Sequence, residues 1–169
     1  MSAANVFDPE FDPPTDRPGF TYLRARVGRH AGAERLGASL YEIPPGESTF
    51  PYHFQLANEE MLIVLRGTPH LRTPDGWRQL DEGELVACPV GERGGHQLHN
   101  RTDDAVRVLV ISEMNAPELS FYPDSGKFLA GDRAPGGVTN EGGLLFETFR
   151  VSDAVDYWEG ESPPSEGEG

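Results

Sequence analysis

The run Gly46-Glu47-Ser48-Thr49-Phe50-Pro51-Tyr52-His53-Phe54-Gln55-Leu56-Ala57-Asn58-Glu59-Glu60, continuing through the apolar stretch Met61 to Leu65 as far as Gly67, decides the fold. Side chains of a strand alternate between its faces, so His53 and Gln55 point the same way. After a short turn, Glu60 opens the next strand beside them. An imidazole, an amide oxygen and a carboxylate thus converge from two adjacent strands. A second block runs Gly83-Glu84-Leu85-Val86-Ala87-Cys88-Pro89-Val90-Gly91, then Glu92-Arg93-Gly94-Gly95, then His96-Gln97-Leu98-His99-Asn100. It offers another His at the start of another strand.

Around these blocks the pattern is a series of short β-prone runs. Strands are expected near Ala38–Ile43, Met61–Arg66, His70–Arg72, Trp77–Leu80, Leu85–Cys88, Gln97–Asn100 and Val106–Ser112. Turn chemistry separates them: Pro44-Pro45-Gly46, Pro74-Asp75-Gly76, Asp81-Glu82-Gly83 and Gly94-Gly95. Asp75-Gly76 between two strand runs is a strong hairpin signal. Many short strands at regular spacing predict an all-β sandwich or barrel. No stretch between Gly37 and Met114 carries a sustained helical period. The segment after residue 115 is looser. One further strand is expected over Leu144–Arg150, and a short helix over residues 153–158 capped by Ser152. Tyr122-Pro123-Asp124-Ser125-Gly126-Lys127 reads as a turn.

The two blocks resemble the paired motifs of the cupin superfamily. The first of those motifs is Gly, two His one residue apart, Glu, then Gly after six residues. The second is Gly, Pro, Gly, His, then Asn after three residues. Glu60 to Gly67 keeps the six-residue gap, Gly83 to Pro89 the five-residue gap, and His96 to Asn100 the three-residue gap. The match runs from about Ala38 to Ser112. The resemblance implies a double-stranded β-helix, a jelly-roll-like barrel, with one divalent metal ion inside it. Carried over residue by residue, His53, Glu60 and His96 are the metal ligands. The chain departs from the family at Gln55, where a second His is usual. Gln offers a neutral carbonyl oxygen, a harder and weaker ligand than imidazole, and stands as a fourth ligand or a neighbour of the ion.

Two His and one carboxylate with open positions suit non-haem Fe and catalytic Zn alike, and Mn and Ni as well. The resemblance implies a metal-dependent enzyme acting on a small polar molecule: a sugar, a sugar phosphate, or a hydroxy- or keto-acid. The reaction classes are isomerase, lyase or dioxygenase. The alternative is a non-catalytic binder or sensor of a small ligand. Candidates for a general base besides the ligands are Glu59 and His99. His99 lies three positions from His96 and so faces the other way on a regular strand; His30 and His70 are read as ordinary polar residues. Cys88, before Pro89, reads as a buried, inert thiol. Arg66, Arg72, Arg93 and Arg107 are scattered in sequence and give no phosphate cluster.

Composition bounds the rest. The chain has 169 residues, enough to bury about 70% of its unfolded surface in one domain. Its 20 Gly and 15 Pro favour turns over long helices. A net charge of −14 excludes nucleic acid as the natural partner. Neither a signal peptide nor a membrane-spanning apolar run is present, so a cytoplasmic protein is expected. A single Cys excludes a disulfide framework. Residues 1–20 form a Pro- and Asp-rich arm that Phe7, Phe11 and Phe20 are placed to pin. Residues 21–158 form one domain with its motif-bearing core over 38–112, and residues 159–169 an acidic tail, expected to be disordered. Small barrels of this kind cover exposed strand edges by pairing, so a homodimer is expected.

Overall fold

The computed structural model describes residues 2–133 and 143–163. Twelve strands and one short helix follow one another among them. After β1 (Leu23–Ala25) come α1 (Val27–His30), β2 (Leu36–Ile43), β3 (Phe54–Gln55), β4 (Glu60–Arg66), β5 (His70–Thr73) and β6 (Gly76–Gln79). Then follow β7 (Leu85–Cys88), β8 (Gln97–His99), β9 (Val106–Glu113), β10 (Glu118–Tyr122), β11 (Lys127–Gly131) and β12 (Phe146–Arg150). All pairings are antiparallel. One sheet has the order β1-β2-β9-β4-β7; opposite it stand β6-β5-β8 and β12-β11-β10-β3. This is the all-β, jelly-roll-like double-stranded β-helix that the sequence predicts.

The interior divides into two ends, and period two explains both. On β4, Glu60, Leu62 and Val64 face inward; on β9, Val106, Val108, Val110 and Ser112 do so. At one end Leu62, Val64, Val106 and Val108 meet Leu71 of β5 and Leu98 of β8 in the main apolar core. At the other end the same strands face β3 and β10. There the inward residues are polar (Gln55, Glu60, Ser112, Ser120), and the space between the sheets stays open as a cavity.

The outward face of the large sheet is also covered. Ala25, Val27 and Leu40 pack with Leu109 against Val6 and Phe11 of the N-terminal arm. Arg107 lies over the Phe11 ring and donates to the Phe7 carbonyl oxygen, while the Phe7 ring itself is exposed. The arm turns back on itself, with Thr15 and Tyr22 exchanging backbone hydrogen bonds of 3.0 and 3.1 Å.

The expected strands form with boundaries shifted by one or two residues, and the Thr73–Gly76 hairpin closes where Asp75-Gly76 places it. Two strands in the segment that reads as loose, β10 and β11, form a hairpin about the Tyr122–Lys127 turn, whose Gly126 adopts the left-handed conformation. The helix expected over residues 153–158 does not form. A single 3-10 turn over Val151–Asp153 stands in its place, and Ser152 Oγ bonds the Asp153 side chain instead of capping a backbone N–H. Every described residue from 151 to 163 is exposed, so no apolar face supports a helix that short. The remainder of the acidic tail, 164–169, lies outside the described residues. Among those described, no helix is long and apolar enough to cross a membrane.

Candidate metal centre and cavity

His53 and His96 sit directly opposite each other and exchange both backbone hydrogen bonds, His53 N–H to His96 O at 3.1 Å and His96 N–H to His53 O at 2.9 Å. Paired residues project to one face with neighbouring side chains, and the ring centroids lie 4.6 Å apart. Each ring is oriented by a backbone carbonyl: His53 Nδ1 donates to Pro51 O at 3.0 Å, and His96 Nδ1 to Gly94 O at 2.9 Å. A carbonyl only accepts, so Nδ1 carries the proton in both rings and Nε2 offers its lone pair to the interior.

Glu60 completes the cluster. It opens β4, pairs across the ladder with Cys88 and Ser112, and brings Oε2 to 3.2 Å from His96 Nε2. One ligand atom each from His53, Glu60 and His96 lie within 4.8 Å of one another. Of the two adjacent glutamates, the one that the six-residue gap to Gly67 picks out, Glu60, joins the cluster, while Glu59 is exposed. Gln55 projects to the same interior as His53, and its Oε1 is buried without a hydrogen-bond partner. An unsatisfied buried acceptor beside two imidazole lone pairs and a carboxylate is what a cation would satisfy, so the residues fit a divalent metal ion.

The electrostatics agree with a site built around charge. Burial, reinforced by the neighbouring His96, pushes His53 down to about 4. Burial also opposes protonation of His96, but hydrogen bonds with the Cys88 thiol and the Glu60 carboxylate outweigh it and raise this ring to about 10. Burial acts to raise Glu60, yet the bond to His96 prevails and holds it below the usual carboxylate range. In the metal-free protein a proton between His96 Nε2 and Glu60 takes the place of a cation, and an ion would displace that proton to reach the Nε2 lone pair.

Two loops make this geometry possible. A Cβ on Gly94 would lie 1.7 Å from Pro89 O, so only glycine lets the chain fold back tightly enough to present its carbonyl to His96. Between β3 and β4, the fully buried carboxylate of Glu118 accepts from Leu56 N at 3.0 Å, from Ala57 N at 3.3 Å and from the Asn58 side-chain amide. This clamp sets the spacing of Gln55 and Glu60. The two-residue β3 is held from outside by stacking of Phe54 on Phe121 at 5.2 Å. Asn100, last residue of the second block, is structural: its amide donates to Ile43 O and Asp104 O, and its oxygen accepts from Thr102.

His53, Gln55 and Glu60 form part of the wall of a cavity of about 410 Å³, and His96 lies behind them on a small void of about 40 Å³. Tyr122 lines the cavity and stacks on His53 with centroids 5.9 Å apart. Burial, then the charge of Glu60, raises its pKa. Tyr41, on the same cavity, is pushed by burial to about 12. The general-base candidates Glu59 and His99 are absent from this wall. Glu59 faces solvent, and His99 bonds Ser48 Oγ at 3.0 Å beside Trp77. Cys88 is buried and lies against His96.

The basic residues of the cavity are ones the sequence reading passed over. Arg24 on β1, Arg26 beyond its end and Arg29 on α1 line it. Of the scattered arginines, Arg72 pairs with Asp124 at 2.6 Å and Arg107 with Glu42 at 2.7 Å, both outside it. Arg24-x-Arg26 before the first long strand was the available signal, since alternation puts both side chains on one face.

The family described as "Cupin domain" matches residues 39–112. No curated protein matches the chain. Among solved structures, a sugar phosphate isomerase of the cupin superfamily from Silicibacter pomeroyi superposes with a TM-score of 0.74 at 22% identity, covering 92% of this chain and 97% of that one. A protein from Acidithiobacillus ferrooxidans, provisionally described as a sugar phosphate isomerase, gives 0.71 at 22% identity with 88% of each chain covered. The polyketide cyclase RemF of Streptomyces resistomycificus gives 0.56 at 26% identity over 67% of this chain and 79% of its own.

Proposed function

We propose that this chain, whose residues 39–112 match the cupin domain, is a metal-dependent enzyme acting on a small polar molecule. One observation carries the reading. Both histidines engage Nδ1 with backbone carbonyls, which leaves two Nε2 lone pairs and the Glu60 carboxylate gathered within 4.8 Å. This cluster borders a cavity whose volume, about 410 Å³, suits a small ligand.

His53, His96 and Glu60 would hold the ion, with the unsatisfied Gln55 oxygen as fourth donor. Imidazole and carboxylate accept Fe, Zn, Mn or Ni. Bound there, the ion would polarise a substrate carbonyl or hydroxyl, or activate water or O₂. The chain's own residues do the rest. Tyr41 and Tyr122 stay protonated near neutral pH and present hydroxyl donors to substrate oxygens. Phe50 and Val110 line the cavity beside the ligands and limit water there. The sugar phosphate isomerases that share the fold make aldose–ketose interconversion the first reaction to assay.

Elemental analysis of the purified protein is expected to find one divalent ion per chain. His53→Ala and His96→Ala should each lose it while keeping the far-UV circular dichroism of the parent. Protein that takes up no divalent ion, or that keeps it in both variants, overturns the reading. A chain that binds the ion and small ligands but turns over no candidate substrate is the non-catalytic alternative.

A further inference from the structure

The cavity has a second pole. Arg24, Arg26 and Arg29 line the same space as His53, Gln55 and Glu60, although the chain carries a net charge of −14. Their placement is built in. β1 pairs with β2 in the register Arg24 to Tyr41, beside the cavity wall. α1 is drawn onto β2 because Gly28 has no side chain: a Cβ there would sit 2.7 Å from Ala38 N. That close approach carries Arg29 to the cavity.

Pinning of the N-terminal arm accounts for only part of this charge. One oxygen of Asp12 lies 3.5 Å from Arg24 Nε and 3.0 Å from Arg26 Nη1. Arg24 Nε is buried and donates no hydrogen bond. Arg29 has no acidic partner among the described residues. Among the described residues, Glu34 is the other carboxylate at this pole. Three guanidinium groups with at most two carboxylates leave a forked set of N–H donors facing a cavity, the arrangement suited to a planar or tetrahedral oxyanion.

We propose that Arg24, Arg26 and Arg29 form an anion subsite, and that the substrate is a small hydroxy- or keto-compound bearing a phosphate or carboxylate at the end remote from His53 and Glu60. The hydroxy- or keto-half of this substrate class rests on the metal reading above; the anion half does not. The arginines bind the charged end, hold the molecule along the cavity and leave its uncharged oxygens at the Gln55 and Glu60 end.

The test uses the full chain stripped of metal by chelation, titrated with inorganic phosphate and separately with acetate by calorimetry at low ionic strength. Saturable binding of one anion per chain is expected, and the tighter of the two identifies the phosphate or carboxylate end. Arg29→Glu, at an exposed position, should weaken binding about tenfold or more, as should Arg26→Gln. Glu34→Gln should tighten it. Arg66→Glu, the same charge change on an exposed residue that does not line the cavity, should leave it unchanged. No saturable binding of either anion, or an equal loss with Arg66→Glu, overturns the proposal. Anion binding that survives in a chain unable to take up metal leaves this subsite standing and removes the metal reading instead.

Discussion

Replacing Glu118 with Ala tests whether one buried carboxylate organises the approach to the candidate ligands Gln55 and Glu60. The side chain is 0% exposed and accepts from the Leu56 and Ala57 N–H groups and from the Asn58 amide. Hydrogen bonds to a charged acceptor contribute about 1.5–3 kcal/mol each, and a buried donor left without a partner costs about 1–3 kcal/mol. The Leu56 N–H keeps a second acceptor, Leu119 O at 3.0 Å, but the Asn58 amide, in a buried residue, loses the acceptor that Glu118 provides. The expected loss is therefore about 3–5 kcal/mol, a large share of a typical domain's stability. Glu118→Gln should cost less, about 1–2 kcal/mol. Its carbonyl can still serve the two backbone donors, but its amide would face the Asn58 amide. Asn58 cannot turn over, since its oxygen accepts from Asn115 N at 2.6 Å. Urea unfolding of the metal-free protein measures both. A loss under about 1 kcal/mol for Ala, or equal losses for Ala and Gln, refutes the clamp.

Gly94→Ala should be strongly destabilising and should weaken metal binding, because its Cβ meets Pro89 O and its carbonyl orients His96; thermal unfolding and metal titration check both. Gln55→Leu should lower metal affinity about 10- to 100-fold if the unsatisfied oxygen faces the ion, and an unchanged affinity removes Gln55 from the site. The stability of the metal-free protein should peak near the ordinary histidine pKa of 6.5. Below it the unfolded chain protonates residue 53 while the folded ring, held to about 4, does not, so stability falls on acidification by on the order of 3 kcal/mol. Above it the folded His96, raised to about 10, keeps a proton that the unfolded chain releases, so stability falls again as pH rises. A urea midpoint that is flat from pH 5 to 9 contradicts this. Leu71→Ala, in the fully buried core, should cost about 2–5 kcal/mol by urea unfolding and leave anion binding intact.

The strands of the apolar end were legible because Leu62, Val64, Val106 and Val108 alternate with outward residues in the usual sense. The strands around the cavity invert that sense. β10 turns Glu118, Ser120 and Tyr122 inward and Leu119 and Phe121 outward, so a reading that looks for an apolar inner face passes over it. His53 and Gln55, flanking Phe54, follow the same inversion and were found only because imidazole and carboxylate spacing gave a second signal. The arginine pole offered only the alternation of Arg24-x-Arg26: these two and Arg29 reach the cavity through the β1–β2 register and the close packing of α1. The side-by-side placement of His53 and His96 is a long-range pairing that spacing implies only once the barrel is assumed.

The matched segment, 39–112, contains His53, Glu60 and His96 and the main apolar core apart from Tyr22, whereas the arginines, Ser120 and Tyr122 come from before and after it. On the proposed function, the candidate ligands and the candidate recognition residues therefore occupy different stretches of polypeptide. Within the flanks Arg24, Arg26, Arg29 and Tyr122 can vary with the molecule to be held, whereas Glu118, which clamps the loop between β3 and β4, cannot. Grafting the flanks of one such barrel onto the middle of another is the direct way to retarget it.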